Sequence, residues 1–227
     1  MMHEFSSREV LAQALADDVA AVLVARLARK GGAAVLALSG GTTPILFLHA
    51  LSRKNIDWTR VAVTLVDDRW VPETSPRSNA ALLRTHLLQG PAAAARFVPL
   101  LNGAATPEAG RAAVAAELAT LGLPLVAAVL GMGLDGHTAS FFPGGDNLMA
   151  ALSLTSGELV QTIRAHGADE PRITLTLPVL LEATFLAVHI EGAAKRQTLE
   201  RALTPGPMEA MPIRAVLAHD PKIYWSP

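Results

Sequence analysis

The 227-residue sequence contains no cysteine. That excludes a disulfide framework, a thiolate metal site and a cysteine nucleophile. Nor is there an excess of charge of either sign: 19 Lys and Arg stand against 20 Asp and Glu, a formal charge of −1. A nucleic-acid-binding domain ordinarily carries a basic excess, so the balance argues against nucleic acid as a partner. No uncharged apolar run reaches the roughly 18 residues that a membrane span requires, so no membrane partner is expected either. The N-terminal apolar spacing is broken by Glu4, Glu9, Asp17 and Asp18, which is not the pattern of a signal peptide. Internal repeats and low-complexity tails are also missing. These absences together lead us to expect a soluble cytoplasmic protein.

Hydrophobic residues make up 51% of the chain and charged residues 17%, the balance of a globular protein. The length fits one large α/β domain over residues 1–227. Helix-like and strand-like segments alternate. Helices are expected over 7–29, from a threonine cap at 42–43 with Pro44 in the first turn, and over 77–88, 107–121, 177–183 and 193–203. Strands are expected over 33–38, 61–66, 97–100, 125–130, 159–164 and 184–190, with 222–225 as an edge strand. The patches at 102–107 and 204–212, rich in Pro and Gly, read as loops. Apolar strands separated by helices imply a mostly parallel sheet covered by helices on both faces, a Rossmann-like α/β fold.

In such sheets ligands bind beyond the carboxyl ends of the strands, and three strand ends here carry unusual chemistry. The first, Ser39-Gly40-Gly41-Thr42-Thr43-Pro44, has the glycines, hydroxyls and helix start of an anion cradle; an ordinary strand-to-helix turn is the plainer alternative. The second, Asp67-Asp68-Arg69, sets two carboxylates and a guanidinium after a buried strand, where solvated capping competes with a working site. Ser78 and Asn79, further on, are expected to cap the next helix first and touch a ligand second. The third, Gly131 to Ser140 (GMGLDGHTAS), matches the dinucleotide pattern GxGxxG, but the confirming acid at the end of a second strand is missing: Glu158 precedes its strand. A pyrophosphate loop has no need of an Asp-x-His pair, whereas Asp135 and His137 suit proton transfer. His137 is expected beside a helix N-terminus that keeps its imidazole neutral. The other histidines, His3, His49, His86, His166, His189 and His219, have no such neighbourhood. Without cysteine or a spaced histidine partner, a metal site is not expected. Arg172 (in PRITLTL) and Lys195, in the turn after Gly192, are further cations; Lys195 repeats the strand-end geometry.

Taken in order, SGGTTP, DDRWVP, Ser78-Asn79, GMGLDGHTASFFPG, PRITLTLPVLLEA and Gly192…Lys195 closely resemble the glucosamine-6-phosphate deaminase/6-phosphogluconolactonase family over about residues 30–200, its lactonase branch in particular. The resemblance implies a single Rossmann-like domain, a phosphosugar lactone as substrate, hydrolysis without metal or redox cofactor, and a monomer or weak homodimer. It departs at Asp68, where the family commonly has glutamate. The deaminase branch places a glutamate five residues after the histidine; here that position is Phe142, which favours the lactonase. On this resemblance His137 is the expected general base, with Asp135 or Asp67 orienting it. Backbone amides near Gly133 to Gly136 would stabilise the oxyanion. The phosphate and sugar would meet Ser39, Gly40, Gly41, Thr42, Thr43 and Arg69. Asp68, Ser78, Asn79, Arg172 and Lys195 complete the expected site. A non-catalytic sugar-phosphate sensor is the alternative from another class.

Overall fold

The computed structural model describes residues 2–227. In chain order the elements are β1 (Met2–Glu4), α1 (Arg8–Leu27), β2 (Ala34–Leu38), α2 (Ile45–Ser52), β3 (Val61–Leu65), β4 (Asp67–Arg69), α3 (Asn79–His86), β5 (Arg96–Val98), α4 (Pro107–Ala119) and β6 (Ala127–Leu130). There follow α5 (Leu148–Leu152), β7 (Val160–Ile163), β8 (Arg172–Leu175), α6 (Leu177–Leu181), β9 (Phe185–Glu191), α7 (Ala193–Leu203), α8 (Ile213–Leu217) and β10 (Lys222–Ser226). Seven strands form one sheet in the order β1-β10-β9-β6-β2-β3-β5, every neighbouring pair parallel. All five residues of β2 and all four of β6 are buried. A strand without an exposed residue is covered on both faces, so helices sandwich the sheet, as the continuous apolar runs predict.

Local chemistry accounts for the helix boundaries. Ser7 caps α1 by accepting from the Val10 N–H, and Leu11, Leu15, Val19 and Leu23 recur every four residues as its buried stripe. Thr106 caps α4 with Pro107 at the first position. At α2 the expected threonine cap is not found. Pro44 itself is the N-cap residue and no side chain caps the helix, so the amides of the preceding turn are left for another partner.

A second, three-stranded antiparallel sheet, β4-β8-β7, was not predicted. Asp67 to Arg69 read as a strand-end loop but form β4, and residues 171–177 carried no strand expectation although Arg172 to Leu175 form β8. Val66 is the joint: its N–H donates to Leu38 in the large sheet, and its carbonyl accepts from Leu175 in the small one. One further expectation is corrected. Residues 222–225 belong not to an edge but to an interior strand, β10, because the unanticipated β1 pairs outside it. Helices α5 and α8 are each five residues long, too short for a visible helical period.

Candidate functional site

The carboxyl ends of β2 and β6, the start of β4 and the antiparallel strand β8 converge on a cavity of about 470 Å³. Its wall brings together Ser39 to Pro44, Asp67, Arg69, Asn79, Gly133, His137, Arg172 and Lys195. The parallel sheet does this: strands that all run one way bring their following loops to one edge. Asp68, Ser78 and Gly136 lie off the cavity. Asp68 is buried and accepts from the N–H groups of Arg69, Asn79 and Ala80, which satisfies the first turn of α3; burial pushes its carboxyl up to about 6. Ser78 is the N-cap of α3, and Gly136 packs against Met211.

The turn Gly40 to Thr43 is shaped for close approach. A Cβ on Gly40 would run into the Asn79 amide, whose Nδ2 donates to the Asp67 carbonyl. Gly41 has φ +94°, a conformation that side chains disfavour. Among the described residues the amides of Gly40, Gly41, Thr42 and Thr43 donate to no protein acceptor. Four such N–H groups ahead of a helix attract an anion.

Cations complete that field. Arg69 and Arg172 are directly opposed across β4 and β8, a like-charge placement that is unfavourable on its own. The Arg172 side chain is 8% exposed, with the Glu170 carboxylate 4.0 Å away, and its guanidinium lies 5.4 Å from the centre of the Phe142 ring. The Nε atoms of Arg69 and Arg172 are both buried without a hydrogen-bond partner. Lys195 donates to the Met132 carbonyl, and burial lowers its pKa against the opposing pull of Asp135. Buried Arg172 with the half-buried Arg69 and Lys195 beside it favours a bound anion.

His137 also lines the cavity. Its Nδ1 is 2.6 Å from Asp135 Oδ1, and its backbone N–H donates to the same oxygen. Burial raises the Asp135 pKa, but the hydrogen bonds from His137 outweigh this and hold it at about 2. Asp135 is therefore a carboxylate, which can only accept, and Nδ1 carries the proton. In the neutral ring Nε2 then holds the lone pair. Asp67 does not touch the imidazole; its Oδ2 accepts from the buried Ser140 hydroxyl at 2.6 Å. The Phe142 ring packs on His137, centroids 4.5 Å apart.

With this geometry in view, a family model described as glucosamine-6-phosphate isomerases/6-phosphogluconolactonase matches residues 6–225. The chain belongs to this family. A protein of Rhizobium meliloti (strain 1021) named 6-phosphogluconolactonase is 50% identical, covering 100% of this chain and 98% of its own. One of Pseudomonas putida with the same name is 46% identical, with 100% and 93% covered. A crystal structure titled as a 6-phosphogluconolactonase from Shewanella baltica OS155 superposes with a TM-score of 0.96 at 37% identity, covering 100% of this chain and 97% of that one.

Two expectations for the family loop need correction. No helix begins beside His137: the loop continues through turns and a Thr138–Phe141 bridge to α5, so the carboxylate, not a helix dipole, sets the tautomer. The amides of Gly133 and Gly136 are already engaged, with the carbonyls of His137 and Gly133, and are not oxyanion donors in this arrangement. The Gly133 constraint is steric instead, since a Cβ there would strike the His137 ring and the Asp135 carboxylate. Sequence reasoning missed His189, which lines the cavity from β9 and pairs through Nε2 with Glu191 at 3.1 Å. It also missed Ser140 beneath Asp67. A polar residue within a buried strand was the available signal for His189. Among the described residues no three potential metal-ligating side chains gather, and no helix is long and apolar enough to cross a membrane.

Proposed function

We propose that this protein hydrolyses 6-phospho-D-glucono-1,5-lactone to 6-phosphogluconate, with His137 as general base. The observation that carries the reading is a carboxylate-oriented imidazole in the same cavity as an unspent anion cradle. A δ-lactone is an activated ester, so its hydrolysis requires an aimed water and little else. Nε2 of His137 takes a proton from water as the oxygen attacks C1, then returns it to the ring oxygen as the C1–O bond breaks. Asp135 holds the ring and stabilises the transient imidazolium. The 6-phosphate is held by the amides of Gly40 to Thr43 with Arg69, Arg172 and Lys195; guanidinium favours bidentate contact, ammonium acts as a point charge. Asp67, Ser39 and Asn79 face the sugar hydroxyls. Phe142 favours hydrolysis over amine chemistry, because an apolar ring supplies no second acid or base. We infer further that the chain acts as one domain, in the cytoplasm, as a monomer or weak homodimer.

A coupled assay tests this. Lactone generated by glucose-6-phosphate dehydrogenase disappears faster with the protein than by spontaneous hydrolysis. His137→Ala lowers kcat by about 10² to 10⁴ while KM changes little. Binding of 6-phosphogluconate without any rate above the spontaneous one would mark a sensor and end the catalytic reading.

A further inference from the structure

Helix α7 presents three polar side chains at three-residue spacing, Lys195, Thr198 and Arg201, along one face. All three reach carbonyls of the loop that carries Asp135 and His137. Lys195 donates to the Met132 carbonyl. Thr198 Oγ1 lies 3.4 Å and Arg201 Nη2 3.2 Å from the carbonyl of Leu134, and Arg201 Nη2 also meets Thr198 Oγ1 at 3.1 Å. On the other side of Asp135, the Gly136 carbonyl accepts from the Ile213 N–H at 2.9 Å. Asp135 and Gly136 are thus the two residues between fixed peptide groups, and Asp135 follows the first of them directly. The donor that fixes the first from outside the cavity is itself anchored: Arg214 donates to the carbonyls of Ala202, Pro207 and Arg201.

We propose that Arg201, outside the cavity, is a positioning residue that sets the Asp135–His137 alignment by holding the Leu134 carbonyl. This rests on the proposed general-base role of His137. Arg201 touches neither the imidazole nor the cavity, so its loss acts through the peptide before Asp135. The effect falls on the chemical step: a misplaced imidazole loses rate while the phosphate cradle keeps its affinity.

The experiment compares wild type, Arg201→Met and Arg201→Lys in the coupled lactone assay, with thermal unfolding of each. Arg201→Met should lower kcat about 5- to 20-fold with KM within twofold, and Arg201→Lys, which keeps a donor, should recover most of the loss. In proton NMR the downfield signal of the hydrogen-bonded His137 Nδ1–H should broaden or vanish in the Met variant and return in the Lys variant. Wild-type kcat in Arg201→Met with an unchanged Nδ1–H signal would overturn the proposal, as would a rate loss that merely follows loss of folded protein. If wild type itself fails to accelerate hydrolysis, the catalytic reading falls, and the NMR comparison still decides whether Arg201 aligns the pair.

Discussion

Arg172 is a residue on which folding and function pull apart. A cation almost enclosed by protein, with Nε unpartnered, opposes folding because desolvation is repaid only in part. Its burial lowers the guanidinium pKa. Replacing it with an apolar side chain of similar length should leave the ligand-free protein as stable as wild type or more stable by about 1–3 kcal/mol, while raising KM for the lactone. Arg172→Met checked by urea unfolding and steady-state kinetics tests both halves; a less stable variant with unchanged KM contradicts the assignment. Asp135 allows a sharper test. Its carboxyl titrates at about 2, below the ordinary 3.8, so its contribution is fully present above about pH 4 and lost as pH falls through 2. Asp135→Asn should therefore lower kcat about 10-fold or more at pH 8, because Asn no longer fixes the Nδ1–H tautomer. Wild-type kcat in Asp135→Asn at that pH would show that the carboxylate does not orient the ring.

At the scale of elements, α3 is held by a carboxylate from outside its own cap. Asp68 takes N–H groups of Asn79 and Ala80 in the first turn, with Arg69 as its third donor. Asparagine would turn an NH₂ group toward one of these donors, so Asp68→Asn should destabilise the protein by about 1–3 kcal/mol. The folded pKa, about 6, lies above the ordinary 3.8. Wild type therefore loses stability as pH rises through 4 to 6, whereas asparagine has nothing to titrate. The penalty should be larger at pH 4 than at pH 7 by chemical denaturation. Elements such as α1 and α7 were legible in the sequence because long helices repeat their apolar period and carry their own boundary signals. β4 and β8 were not: Asp67-Asp68-Arg69 holds no apolar residue and looks like a polar loop, and the alternation in Arg172 to Leu175 is only four residues long. The site was legible as chemistry, since His137, Asp135 and the glycines of 39–44 announce themselves by type and spacing. The contact that selects Asp135 over Asp67 lies in the path of the loop, and His189 reaches the cavity only through a sheet order that no local pattern encodes.

For the whole molecule, the sheet order has a consequence for how the chain comes into being. β10 is the last strand in chain order, yet it lies between β1 and β9. Its neighbour β1 is the first strand synthesised, fastened by the Arg196 guanidinium on the Glu4 carboxylate. During translation β1 must wait for a partner that emerges after every other strand of the sheet, and β9 keeps an open edge until then. A message cut short ahead of Lys222 would lack an interior strand and expose two open edges, the kind that pair between molecules. Such a product should be insoluble, whereas a chain lacking residues 1–5 should fold with a lower Tm; soluble yield and circular dichroism of the two truncations check this. In synthesis, then, the first strand of this sheet is the last to be sealed into it.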